Sequence, residues 1–157
     1  MKDTWPTPAL QVVLVEPEIP PNTGNISRSC AATGSPLHLV HPLGFDLSEK
    51  KLRRAGLDYW PHVELHEHGS LEECLQHPHR KVWYLSTKAT RTYTDADFGP
   101  GDMLVFGPET RGLPEDLLEK AGAQALKIPM QTHAVRSLNL ATSVGIVLYE
   151  ALRKTRS

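Results

Sequence analysis

Leu104-Val105-Phe106-Gly107-Pro108-Glu109-Thr110-Arg111-Gly112-Leu113-Pro114 runs an apolar strand straight into a turn of glycine, proline and small polar residues. Farther along, Ile128-Pro129-Met130 leads to Arg136-Ser137-Leu138-Asn139-Leu140 in the same manner. Strand-then-loop segments of this kind present main-chain donors and acceptors to a ligand, so two of them predict one shared pocket. Loops this short and polar bind largely through the backbone.

Working outward, residues 10–15 read as a buried strand, and Pro20-Pro21-Asn22 punctuates the chain before a helix over 22–33 that Gly34 and Pro36 stop. Asn22 is placed to cap it. Strands are expected at 37–40, 83–85, 103–106 and 125–128, a short basic helix at 48–55, a helix at 114–120 and the longest helix at 137–153. Alternating strands and helices imply crossover connections, hence an α/β fold with a mainly parallel sheet and helices on both faces. The 157 residues, 39% hydrophobic, suit a single domain over 1–157 with a flexible lead-in at 1–9.

Several classes are excluded. The start lacks the basic and apolar regions of a signal peptide and no apolar run reaches the ~20 residues of a membrane span, so a soluble, cytoplasmic protein with no membrane partner is expected. Cys30 and Cys74 read as reduced thiols, Cys30 on an apolar helix face with Ile26 and Thr33. A net charge of −1 does not advertise a nucleic-acid binder, and on charge alone the basic groups Lys50/Lys51/Arg53/Arg54, Lys88/Arg91 and Arg153/Lys154/Arg156 read first as ordinary solvated faces.

No Gly-x-Gly-x-x-Gly follows the first strand, which argues against nicotinamide and flavin cofactors. Gly107 to Gly112 has the outer spacing of a phosphate loop but continues into Leu113-Pro114 where Lys and Ser/Thr are required. There is no Gly-x-Ser-x-Gly elbow. His66, His68, Cys74, His77 and His79 match no common zinc spacing, so that acidic stretch is expected to be a solvated surface segment without strands, and no metal is expected.

Two helices carry more. Asn25 and Arg28 lie three residues apart on one face of the helix beginning at Asn22, an amide and a guanidinium suited to a phosphate and a sugar. A capped helix with a surface arginine explains them too. In the last helix Ser137, Ala141 and Gly145 recur at intervals of four beside an apolar stripe of Leu140, Val144, Val147, Leu148 and Ala151. Such a seam permits close packing against a partner, and equally suits a core helix with a tolerated glycine.

The ordered segments Asn22-Thr-Gly-Asn25-Ile-Ser-Arg28, Phe106-Gly107-Pro-Glu109-Thr-Arg-Gly112-Leu-Pro, and Ile128-Pro-Met130 with Ser137-Leu-Asn139-Leu together resemble the three motifs of the SpoU class of SPOUT methyltransferases. The resemblance covers about 12–153. Glu16-Pro-Glu-Ile-Pro-Pro-Asn22 and Arg53-Arg-Ala-Gly-Leu-Asp-Tyr59 are similar to the small subfamily that 2′-O-methylates the wobble nucleotide of tRNA.

The resemblance implies a C-terminal deep trefoil knot, which pattern arguments alone never propose because knots are so rare. It also implies a homodimer packed through the Asn22 helix and the final helix. S-adenosylmethionine is expected in the knot against Leu85, Gly107, Glu109, Ile128, Met130, Ser137 and Leu138, without a metal. The catalytic residues implied are Arg28, Asn22, Glu109 and Asn139; the RNA contacts are Asn25, Arg28, Arg53, Arg54, Lys88, Arg136 and Tyr149. The expected substrate is cytidine or modified uridine at position 34 in a tRNA anticodon stem-loop, of leucine tRNAs.

The connection 131–135 is longer than the family pattern and lacks a proline. Two rival expectations share the motifs: a ribosomal-RNA 2′-O-methyltransferase, and a non-catalytic RNA-binding protein on the same fold.

Overall fold

The computed structural model describes residues 4–47 and 61–156. The expected basic helix at 48–55, with Arg53 and Arg54, lies outside them. Strands β1 (Gln11–Val15), β2 (Leu37–Val40), β3 (Leu65–His68), β4 (Val82–Leu85), β5 (Arg91–Thr92), β6 (Met103–Phe106) and β7 (Ala125–Lys127) form one seven-stranded sheet in the order β3-β2-β1-β6-β4-β7-β5. Every neighbouring pair is parallel. The helices are α1 (Pro20–Thr33), α2 (Leu71–Cys74), α3 (Glu115–Ala121) and α4 (Leu140–Thr155).

β1, β2, β4 and β6 are uninterrupted apolar or buried runs because the sheet is covered on both faces. Val12, Leu14, Leu37, Leu39, Leu104 and Phe106 meet Ile26 and Cys30 of α1 and Val144, Val147 and Leu148 of α4 on one face. Val13, Val40, Tyr84 and Val105 meet Cys74 and, at the edge of the cluster, Leu117 and Leu118 of α3 on the other. The burial that closes these cores pushes the Cys30 thiol up to about 12, which fits a core residue and not a nucleophile. No helix among the described residues is long and apolar enough to cross a membrane.

Several expectations need correcting. α1 starts at Pro20, and its N-cap is Ile19, with no side-chain cap, so Asn22 lies within the first turn. Proline at the first helical positions removes donors that a cap would otherwise satisfy. α4 begins at Leu140, because Asn139 takes an extended ψ of 141° and caps the helix by accepting from Thr142 N–H at 3.2 Å. Ser137 therefore stands outside the helix, and the seam continues instead as Ala141, Gly145 and Tyr149.

The stretch 64–79 is not a strandless surface segment. His66 and His68 sit on edge strand β3, Cys74 ends α2 fully buried, and Ser70 caps that turn by accepting from Glu73 N–H. The polar stretch after β4 contributes β5, which pairs with β7. Trp5, in the lead-in, lies 4.5 Å from the Arg156 guanidinium, which ties this segment to the other end of the chain.

Candidate functional site: a pocket at the carboxyl ends of β4, β6 and β7

The strand order changes direction between β1 and β6, so the connections leaving those neighbours diverge and open a crevice at their carboxyl ends. There a cavity of about 580 Å³ is bounded by the loops after β4, β6 and β7 and by the first turn of α1. Its size lies within the range of small-molecule sites. The β6 loop is folded tightly on itself: a Cβ on Gly107 would stand 2.5 Å from the backbone of Gly112 and Leu113, and Gly112 itself takes a φ of +66°. The close approach requires glycine at Gly107, and the left-handed backbone favours it at Gly112.

Glu109 organises the crevice. Its carboxylate accepts from Glu18 N–H at 2.8 Å, Ile19 N–H at 2.9 Å and the Asn22 amide at 3.2 Å. A negative charge from the β6 loop thus does at the positive end of α1 what no side chain of that helix does. The Asn22 carbonyl oxygen accepts from the Asn139 amide at 3.0 Å, and the Asn139 oxygen caps α4. One oriented chain of hydrogen bonds therefore joins β6, α1 and α4.

A second clamp runs the other way. Glu18 accepts from Thr110 N–H at 2.9 Å and Thr110 Oγ1 at 2.8 Å, and these bonds, the backbone one first, hold its carboxyl below the usual range. Arg111 pairs with Glu16 at 2.7 Å, and Glu16 takes a φ of 49° at the turn out of β1. Sequence reasoning missed Glu16, Glu18 and Thr110 as bracing residues. The only available signal was two carboxylates flanking a proline just after a strand.

Leu85, Gly107, Glu109, Ile128, Met130, Ser137 and Leu138 all line the cavity, together with Asn22, Asn139, Lys88 and Arg136. Ser86, Thr87 and Ser143 line it too and were not anticipated. Lys88 is ion-paired with Glu115 at 2.7 Å on the exposed rim. Asn25, Arg28 and Tyr149 stand outside the cavity, all three exposed. Gly145 has open space around it: a Cβ there meets nothing within 4 Å.

Residues 9–149 match the family model described as the SpoU rRNA methylase family. A protein of Saccharophagus degradans named tRNA (cytidine(34)-2'-O)-methyltransferase is 51% identical over 146 residues, covering 91% of this chain and 94% of that one. A solved structure described as giving insight into 2-OH methylation of C/U34 on tRNA is 52% identical with a TM-score of 0.86, covering 92% of this chain and 95% of that one. The SpoU methyltransferase AviRb from Streptomyces viridochromogenes, in complex with the cofactor AdoMet, has a TM-score of 0.80 at 26% identity, covering 98% of this chain and 61% of that one. With its crevice built from the same ordered segments that the model spans, the chain belongs to the SpoU methylase family.

Proposed function

We propose that this chain transfers a methyl group from S-adenosylmethionine to the ribose 2′-hydroxyl of nucleotide 34 in the tRNA anticodon loop. The observation that carries the reading is that all three sequence motifs meet at one shared cavity and are braced to one another through Glu109, Asn22 and Asn139. Relatives about 50% identical over most of the chain and named for that reaction support it.

The cavity suits the cofactor: apolar Leu85, Ile128 and Met130 offer a slot for a planar base, and the backbone of the Gly107–Gly112 turn forms part of its wall. When bound, S-adenosylmethionine supplies an electrophilic methyl on a sulfonium. The work left to the protein is to hold the hydroxyl in line, and positioning of that kind is worth on the order of 7–11 kcal/mol. Glu109 and Asn22 keep the β6 loop and α1 in register, and Asn139 ties both to α4. Arg28, with Asn25 on the same helical face, meets the RNA; as a permanent cation it stabilises charge at the 2′-oxygen and the adjacent phosphate. Arg136 and Lys88 at the rim are the phosphate contacts. A nucleotide splayed from a loop suits so open a crevice better than a paired one.

Two further parts belong to the reading. The chain works as a homodimer through the open face of Ala141, Gly145 and Tyr149, and the segment leading into α4 is threaded as a trefoil knot beneath the β6 loop. Arg28→Ala is the test: methyl transfer to an anticodon stem-loop in single turnover should fall roughly a hundredfold, with calorimetric cofactor affinity nearly unchanged. Arg28→Lys should rescue little. Unchanged transfer would remove Arg28 from the reaction, and wild-type transfer to ribosomal RNA in place of tRNA would overturn the substrate.

A further inference from the structure

We infer that His38, His68 and Cys74 form a binding site for a zinc-class transition metal, which clips the β2–β3 edge of the sheet to α2. This reverses the metal-free expectation for the 64–79 stretch and does not depend on the methyl-transfer reading. One ring nitrogen of each of His38 and His68 and the Cys74 sulfur lie within 4.8 Å of one another, with His38 Nδ1 and His68 Nε2 in direct contact; His38 and Cys74 are fully buried and His68 half-buried. Two imidazole nitrogens with one sulfur are the donor set that zinc, cobalt and copper(I) prefer over hard cations.

The orientation of His38 is set from behind. The Gln11 amide nitrogen donates to Pro78 O at 3.0 Å and Gly101 O at 3.2 Å, so its oxygen must face His38 Nε2, 2.8 Å away. An oxygen there requires the proton on Nε2, which leaves the lone pair of Nδ1 pointing into the cluster. Fixing a ligand's tautomer through its outer nitrogen is how proteins prepare histidine for metal. At present that lone pair accepts from His68 Nε2 at 2.9 Å. Nitrogens sharing a tetrahedral zinc stand about 3.3 Å apart, so the pair opens by only a few tenths of an ångström. His77 groups instead with Glu64 and His66, so a water is the fourth ligand. On binding, the Cys74 S–H bond breaks and its proton leaves to solvent as the S–metal bond forms, while His68 moves its proton from Nε2 to Nδ1.

The competing arrangement is a metal-free stack of rings, since His38 also stacks on His66 at 4.8 Å. Cobalt(II) titration of the wild-type protein separates the two without any variant. A tetrahedral cobalt spectrum with a thiolate charge-transfer band, saturating at one equivalent, is the expected result. Cys74→Ser should abolish the charge-transfer band, and Gln11→Ala should weaken affinity roughly 10–100-fold as a positioning residue. Zinc should raise the melting temperature of wild type and not of Cys74→Ser, with cofactor affinity unchanged in both. Absence of the band in wild type, or its persistence in Cys74→Ser, would overturn the site.

Discussion

Strand β6 has a carboxylate just beyond each end, and the two do the same thing with opposite results. Asp102, one residue before the strand and fully buried, accepts from the Arg80 guanidinium, from Lys81 and Gly99 N–H and from Trp83 Nε1, all within 3.0 Å. Glu109, at the carboxyl end and half-buried, gathers the N–H groups of Glu18 and Ile19 and the amide of Asn22. Asp102 spends its lone pairs on a closed knot of donors that ends there. Glu109 passes its order on through Asn22 and Asn139 to the wall of a cavity. A carboxylate that stitches loops together makes scaffold where it is sealed and a site where the stitching stays open to a ligand.

The largest effect should come from the sealed end. Asp102→Ala strands two backbone N–H groups and an indole N–H, and the predicted loss is about 3–5 kcal/mol in denaturant unfolding. Most of that comes from these donors, since the Arg80 side chain is 40% exposed and partly solvated without its partner. Methyl transfer per folded molecule should stay at the wild-type level. If it falls in step with stability, the two ends are not separable.

The open end should show the reverse proportions. Glu109→Gln keeps the shape and one acceptor oxygen but turns an NH2 toward the N–H groups of 18–19, at a predicted cost of about 1–2 kcal/mol. Cofactor affinity by calorimetry should drop at least tenfold, because the β6 loop loses its brace against α1. A loss of stability with unaltered affinity would make Glu109 a second Asp102.

Gly145→Leu tests whether the open face of α4 is free or covered. In a single chain nothing lies within 4 Å of the added Cβ, and replacing a helical glycine should gain up to about 1 kcal/mol. Against a closely packed second subunit the same leucine overpacks by about 1–3 kcal/mol. Sedimentation should therefore show weakened dimer with no loss of monomer stability. Unaltered dimerisation would place the interface elsewhere.

What the sequence disclosed follows from the range of the interactions. Apolar strand runs depend on local pattern, so β1, β2, β4 and β6 and both covering layers were legible, and the loops after β6 and β7 did meet in one cavity. The boundaries of α1 and α4 were missed because their caps are decided elsewhere: Glu109 lies 90 residues from Ile19, and the extended ψ of Asn139 interrupts a pattern that reads as continuous helix. The imidazole cluster was misread for the same reason. His38 lies 30 residues from His68 and joins it only because β2 and β3 pair. The Glu16–Arg111 and Glu18–Thr110 contacts likewise exist only because β1 and β6 are neighbours.

The smallest expected effect concerns the outer stitch of the open end, and pH reveals it. Bonds from Thr110 N–H first, and from its hydroxyl next, hold the Glu18 carboxyl below its ordinary 4.5. A carboxyl whose native value is depressed contributes stability that is fully present above the unfolded value and is lost as pH falls through the native one. Glu18→Gln keeps an acceptor for Thr110 but no charge. The melting-temperature difference between wild type and Glu18→Gln should be small and constant from about pH 7 to pH 5, then shrink toward zero on further acidification. Glu18 is half-buried and still reached by solvent, so added salt should shrink the share owed to Arg111 while leaving the Thr110 bonds in place. A difference that persists at about pH 3 would mean that shape, and not charge, holds the β1 and β6 loops together at this point.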